Sequence, residues 1–328
     1  MAVLRLSNAY LFFIFLHVVV RGAVSMSFIL TNNCAYTVWP GILSNAGVAP
    51  LSPTGFALQR GESRTITAPA GWGGRMWGRT QCSTDSSGKF SCATGDCGSG
   101  SIECNGSGAS PPATLIEFTL DGYGGQDFYD VSLVDGYNVP VLVTPRSGNG
   151  QNCSITGCVA DLNNACPSEL KVTSTDGSGV ACKSACEAFQ QPQYCCVGEY
   201  GSPATCKSTS YSSLFKNLCP YAYSYAYDDG TSTFTCSSSP DYSITFCSPP
   251  NSSKKINRFL CQINPNLNRS FFTGQCYGVY QCRRSSEWFS GDNRPFVLDI
   301  ATSDFLLSFV WCLGSQMLSF TSLHRGVV

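Results

Sequence analysis

Residues 88–104 read GKFSCATGDCGSGSIEC. Three cysteines, Cys92, Cys97 and Cys104, frame the turn-forming run Thr94-Gly95-Asp96, and a fourth, Cys82, lies just upstream. Whether such cysteines are bridges or thiolate ligands depends on the redox compartment, and the start of the chain bears on that. Arg5 supplies a positive flank, and residues 9–20 (AYLFFIFLHVVV) form an apolar run too short to span a bilayer. Ala23-Val24-Ser25 offers the small residues of a cleavage site. Residues 1–25 therefore read as a signal peptide, and the mature chain is expected to begin near Met26, secreted into an oxidising compartment where cysteines pair.

Composition agrees with a bridged, loop-rich, mainly β protein. The chain has 20 cysteines, 32 glycines, 17 prolines and only 12% charged residues. Its 328 residues are enough to bury a core, so bridges would reinforce a core instead of replacing one. The near-neutral net charge conceals a split. From Met26 to Ser248 there are ten Lys and Arg against seventeen Asp and Glu, and from Pro249 onward eight against four. An acidic domain is a poor ligand for nucleic acid or anionic membrane. The two histidines, His17 and His324, fall in the leader and at the far C-terminus. No imidazole is left for a Ser-His or Cys-His nucleophile or for a metal site. With no phosphate loop and no metal-ligand spacing, no cofactor is expected. Carboxylate and arginine remain for chemistry.

Short strands bounded by Gly and Pro recur after Met26: SFILTNN, YTVWP, ALQRGESRTITAP and the aromatic, arginine and glycine mixture GWGGRMWGRT. That spacing suggests a sandwich or barrel. Residues 117–135 (EFTLDGYGGQDFYDVSLVD) read as two strands around a glycine-rich turn. Ile116, Phe118 and Leu120 alternate on one side, and Tyr129, Val131 and Leu133 on the other. A symmetric hairpin sets Glu117 opposite Asp130, with Asp135 nearby. Like charges directly opposite destabilise a sheet, so such a pair needs a cation or a use. The plain alternative is a solvated polar face.

The cysteine-rich stretch resembles the signature of the thaumatin-like proteins, the fifth group of plant pathogenesis-related proteins. Gly88, Phe90, Cys92, Thr94, Gly95, Asp96, Cys97, Gly100 and Cys104 carry it. The likeness extends through NNCAYTVWP, RGESRTITAPAGWGGRMWGRTQC, PATLIEFTL, DGYNVPVLV and Cys153 to Cys247, so it covers residues 26–248. It implies a mainly β fold: a sandwich from about 26–78, 117–156 and 220–248, a small disulfide lobe at 79–112, and a large disulfide lobe at 157–219. It also implies eight bridges, Cys34–Cys247, Cys82–Cys92, Cys97–Cys104, Cys153–Cys236, Cys158–Cys219, Cys166–Cys182, Cys186–Cys195 and Cys196–Cys206. Within the large lobe, two helices are legible directly: Cys182–Gln190, ending before Pro192, and a second carrying the apolar stripe Tyr211, Leu214, Phe215 and Leu218, read as core packing.

Carried over residue by residue, the family's acidic cleft falls on Arg75, Glu117, Asp130, Asp135 and Asp228, with Arg75 expected to clamp a carboxylate in bidentate fashion. Where relatives often have Cys-Pro-Asp, this chain has Cys219-Pro220-Tyr221, leaving Tyr221, Tyr223, Tyr225 and Tyr227 at alternate positions. On a strand these rings would share one face, either lining the core or stacking on sugars. The resemblance implies a secreted, monomeric, antifungal defence protein of the apoplast that binds fungal β-1,3-glucan. The alternatives are weak endo-β-1,3-glucanase action, with Glu117 as general acid and Asp130 or Asp135 as partner, and a role as enzyme inhibitor or protein ligand. For hydrolysis, carboxyls about 5–5.5 Å apart favour retention and about 6.5–9.5 Å inversion.

Residues 249–328 depart from the family. They carry Cys261, Cys276, Cys282 and Cys312 and an apolar run, Phe305 to Phe320, short for a membrane span. Two readings stay open: a lipid-anchor signal processed near Ser290-Gly291, or coding sequence continued into an intron. Asn105, Asn152, Asn251 and Asn268 stand in glycosylation sequons.

Overall fold

Period-two burial builds both sheets. In the first strand Met26, Phe28, Leu30 and Asn32 are buried while the residues between them are half-exposed. The computed structural model describes residues 25–146, 153–237, 241–248, 308–313 and 316–321. The leader, three of the glycosylation sequons (Asn152, Asn251, Asn268), Cys261, Cys276, Cys282 and the Ser290-Gly291 site lie outside the described residues. The chain divides into two compact units between Pro265 and Asn266. The second is described as a backbone hairpin, Ser308–Leu313 paired antiparallel with Gln316–Thr321. No helix among the described residues is long and apolar enough to cross a membrane.

In the first unit the strands are β1 (Met26–Asn32), β2 (Trp39–Ser44), β3 (Ser63–Ala68), β4 (Gly73–Thr84), β5 (Phe90–Thr94), β6 (Leu115–Thr119), β7 (Asp127–Ser132), β8 (Val141–Pro145), β9 (Thr156–Cys158), β10 (Lys171–Thr173), β11 (Gly179–Cys182), β12 (Phe234–Cys236) and β13 (Asp241–Phe246). One sheet runs β3-β1-β13-β8-β9, with β1 and β13 parallel. The other runs β12-β7-β6-β4-β2, and β5 pairs with the far end of β4. Side chains from the two inner faces meet in one core. Phe28 and Tyr242 of the first sheet reach Phe118 of the second at 4.7 and 4.9 Å between ring centroids, and Tyr242 reaches Tyr129 at 5.2 Å. Tilted and edge contacts at these distances add to the burial of apolar area. The fold is mainly β, a sandwich flanked by disulfide-bridged loops.

The boundary expected at Gly78 falls inside one continuous strand. β4 runs for 12 residues, its first half paired with β2 and β6, its second with β5. Arg79, at that junction, is fully buried. Its guanidinium donates to the carbonyls of Trp39, Pro40 and Ile102 at 3.0, 3.2 and 2.5 Å. The backbone carrying Ile102 also presses on Gly55, where an added Cβ would lie 2.1 Å from the Ile102 oxygen. Only glycine admits that approach. Gly55→Ala is expected to destabilise by about 1–3 kcal/mol, read as a lowered calorimetric midpoint. An unchanged midpoint would mean the loop moves aside without cost.

Eight bridges are formed: Cys34–Cys247, Cys82–Cys92, Cys97–Cys104, Cys153–Cys236, Cys158–Cys219, Cys166–Cys182, Cys186–Cys195 and Cys196–Cys206. Two sit in the stretch around Gly95 and five tie residues 153–236. Their number fits an oxidising compartment.

The helix expected at Cys182–Gln190 is shorter. Cys182 ends β11, and the helix spans Ala185–Phe189, capped by Ser184, whose side chain accepts from the Glu187 amide. Pro192–Cys195 forms a further short helix that apolar periodicity does not reveal. The second expected helix is Ser210–Leu218, with a capping box at Thr209 and Ser212. Of its stripe, Phe215 is buried and Tyr211 packs partly on the core, but Leu218 is 36% exposed. The stripe is core packing only over its first turns.

Candidate functional site

Strand register draws a line of side chains across the second sheet. Leu43, Arg75, Glu117 and Asp130 are direct partners across β2, β4, β6 and β7. Their strand neighbours Met76, Ile116, Phe118, Tyr129 and Val131 are buried in the sandwich core. Alternation therefore sends Arg75, Glu117 and Asp130 to the outer face, where all three are half-buried. One repeat along the same face lie Leu115 and Ser132. These five residues floor a cavity of about 370 Å³. Val134 and Asp135 follow from the end of β7, and Tyr223, Ala226 and Asp229 form the far wall, on the chain after Cys219. Four carboxyl groups and one guanidinium thus share one opening. Among the described residues, no cluster of His, Cys, Asp and Glu has the arrangement of a metal site.

The structure brings together Arg75, Glu117, Asp130 and Asp135. It does not bring Asp228 with them. The Asp228 carboxylate turns away to Lys216 on the Ser210–Leu218 helix, with Oδ2 2.9 Å from the ammonium, and accepts from the Ser224 amide and hydroxyl at 3.0 and 2.9 Å. Lys216 also donates to the Ala222 carbonyl and to Ser232. A carboxylate paired and hydrogen-bonded in this way is a strut that holds the loop to the helix. Its neighbour Asp229 is exposed and takes the place in the cleft, accepting from the Tyr223 hydroxyl at 2.8 Å.

The bidentate clamp expected of Arg75 is likewise not formed. Among the described residues no ion pair is made at Arg75, although it lies directly across from Glu117. It acts on Glu117 through space.

The tyrosine run is not a strand and does not line the core as a unit. Residues 221–227 are irregular, and the small residues between the rings, Ala222 and Ser224, are the buried ones. All four tyrosines are half-buried. Tyr221 packs toward Phe234, at 6.3 Å between centroids, and Tyr223 faces the carboxylates and also contacts the Thr233 hydroxyl. The loop passes so close to the sandwich that only methyl-sized side chains fit inward.

Burial and crowding shift the two central acids. Burial raises Glu117 above the usual carboxylate range. The facing Arg75 opposes that rise, and Asp135 adds to it. Asp130 is raised well above that range, first by burial and then by Glu117 and Asp229. Its Oδ2 is shut away from solvent and has no hydrogen-bond partner among the described residues. Asp229, Ser132 and Val134 are not assigned to the cleft by the sequence, and Tyr223 is read there only as one ring of the alternating run. Of these only Ser132 was legible in principle, two residues from Asp130 on the same strand.

A family model for the thaumatin family matches residues 32–248. The chain belongs to the thaumatin family. Thaumatin-like protein 1 of Pyrus pyrifolia is 59% identical over 226 residues, 69% of this chain and 92% of that protein. A protein of Prunus avium named glucan endo-1,3-beta-glucosidase is 55% identical over 226 residues, again 69% of this chain and 92% of that protein. A PR5-like receptor kinase of Arabidopsis thaliana is 57% identical over 244 residues, 74% of this chain. The chain spans only 37% of that kinase's length. As a member of the thaumatin family, the chain sets its acidic groups on the sheet's outer face, facing the loop that follows Cys219.

Proposed function

We propose that this thaumatin-like protein is secreted to the apoplast as an antifungal defence protein and binds β-1,3-glucan in the cleft floored by Arg75, Glu117 and Asp130. The supporting observation is the row itself: a guanidinium and two carboxyls side by side at the floor of an open, mostly polar cavity of about 370 Å³. Ionised carboxylates accept strongly from sugar hydroxyls, and a guanidinium donates to ring and hydroxyl oxygens. Leu115, Val134 and Ala226 offer the apolar patches that the C–H faces of a sugar require. The name carried by the Prunus avium relative is consistent with this class of ligand.

Calorimetric titration with laminarin tests the reading. Glu117→Gln removes the charge at the centre of the row and is expected to weaken binding about tenfold or more, the loss of one charge-assisted hydrogen bond or two. Equal affinity in the two proteins, or no binding by either, would end it.

A second reading is favoured by one observation: Glu117 and Asp130 sit directly opposite each other, and burial raises both, with Arg75 opposing the rise of Glu117 alone. Such a pair is what acid-assisted hydrolysis of a glycosidic bond uses. Release of reducing ends from laminarin above a Glu117→Gln control would establish it.

A further inference from the structure

Among the described residues, Asp130 occupies a position that no cation serves. In the row across the sheet, Arg75 is the partner of Glu117, and Asp130 stands one strand further out. Beyond it, β12 begins at Phe234, the partner of Tyr129, so Thr233 and not a basic residue flanks that side. The wall opposite presents Asp229 and the Tyr223 hydroxyl, which is spent on Asp229 and Thr233. Asp135 adds another acid at the end of β7. Lys216, the lysine behind that wall, is held by Asp228, the Ala222 carbonyl and Ser232. Asp130 Oδ2 is meanwhile closed off from water, without a donor to satisfy it. A buried carboxylate oxygen with neither water, donor nor cation is far more costly than a carboxylic acid.

We propose, resting on the reading of the cleft as a sugar site, that Asp130 is the cleft's neutral hydrogen-bond donor, a carboxylic acid that donates a hydrogen bond to an oxygen of the glucan through Oδ1, the oxygen not enclosed, while Glu117 beside it is the acceptor. The two acids therefore differ in role. Arg75 opposes the rise of Glu117, whereas no cation among the described residues opposes that of Asp130, on which Glu117 further disfavours charge. The proton that sequence reasoning gave to Glu117 belongs to Asp130. Glucan binding is then sensitive to alkali: deprotonation of Asp130 replaces a donor by a buried anion facing the same sugar oxygen.

Asparagine reproduces the shape of the neutral acid and keeps a donor, but cannot ionise. The full-length Asp130→Asn protein is expected to bind laminarin with an affinity that stays level as pH rises. The unaltered protein should lose about tenfold in affinity as the solution is made alkaline, and the Asn variant should not. Glu117→Gln should weaken binding at every pH. Stability supplies a second readout. The folded protein holds this proton above the pH at which the unfolded chain releases it, so the native state binds more protons there. Stability from neutral Asp130 is present at low pH and is lost as pH rises through its folded value, and Asp130→Asn should gain in melting temperature over the unaltered protein along that rise. A ¹³C titration of the side-chain carboxyls, assigned with the Asn variant, needs no ligand. Asp130 should release its proton well above the ordinary carboxylate value. Titration near the ordinary value of about 4 would overturn the proposal, as would an Asn variant whose binding falls with alkali as steeply as the unaltered protein's. Should no protein bind laminarin, the glucan reading fails, and the carboxyl titration still decides the state of Asp130.

Discussion

Replacing Cys34 and Cys247 together by serine is expected to lower the unfolding free energy by about 5 kcal/mol, the largest loss from any one of the eight bridges. The two residues are 213 apart in sequence, the longest loop that any bridge closes. In the chain-entropy account, stabilisation grows with the length of loop removed from the unfolded ensemble. The position sharpens the effect. β1 and β13, the first and last strands of the domain, lie side by side and parallel, with Asn32 opposite Phe246. Cys34 and Cys247 follow close behind those partners, and the Asn33 amide donates to the Phe246 carbonyl at 3.0 Å. The bridge thus staples a non-local pairing that must form across the whole chain. Guanidinium unfolding of the double variant measures it. A loss no greater than that from opening Cys82–Cys92, separated by only 10 residues, would rule out loop closure as the cause.

Arg79→Met is expected to cost about 3–5 kcal/mol, although it removes a buried charge. Two effects oppose each other here. Burial disfavours the guanidinium enough to push its pKa down to about 10, with Asp96 acting against the fall. A well-packed apolar side chain would escape that penalty. Methionine, however, takes the guanidinium donors from the carbonyls of Trp39, Pro40 and Ile102, of which Pro40 keeps the Phe56 amide at 3.3 Å, and each acceptor left without a partner costs about 1–3 kcal/mol. The guanidinium also lies 5.4 Å from the centre of the Phe90 ring, where its charge is attracted to the ring face in a way that a thioether cannot match. The unpaired acceptors should decide the sign. Equilibrium denaturation that finds the Met variant as stable as the parent would mean that the cation is merely tolerated at the joint between sandwich and small lobe.

Much of the site was legible because it is made by a hairpin. Ile116, Phe118, Tyr129 and Val131 alternate strictly with Glu117 and Asp130, so local periodicity alone sends the acids to one face and sets them opposite each other. The signature around Thr94-Gly95-Asp96 pointed to the family, and with it to Arg75 and Asp135. The choice between Asp228 and Asp229 was not legible. It is made by Lys216, on a helix of the disulfide lobe, which captures one of two adjacent carboxylates and leaves the other in the cleft. The tyrosines misled for a related reason. Alternation from Tyr221 to Tyr227 imitates a strand, but the closeness of the loop to the sandwich puts Ala222 and Ser224 inward.

Residue order along single strands therefore determined which side chains share a face, since a side chain's direction follows from pleating and needs no distant partner. What only the tertiary structure decided is which of those acids faces a cation and which oxygen is shut away from water. Protonation depends on the cations and water within a few ångströms, and those were assigned by the order of strands β2, β4, β6, β7 and β12 and by the helix bearing Lys216. Asp130 and Glu117 are both plain carboxylic acids in the sequence. Arg75 stands next to only one of them in the folded protein.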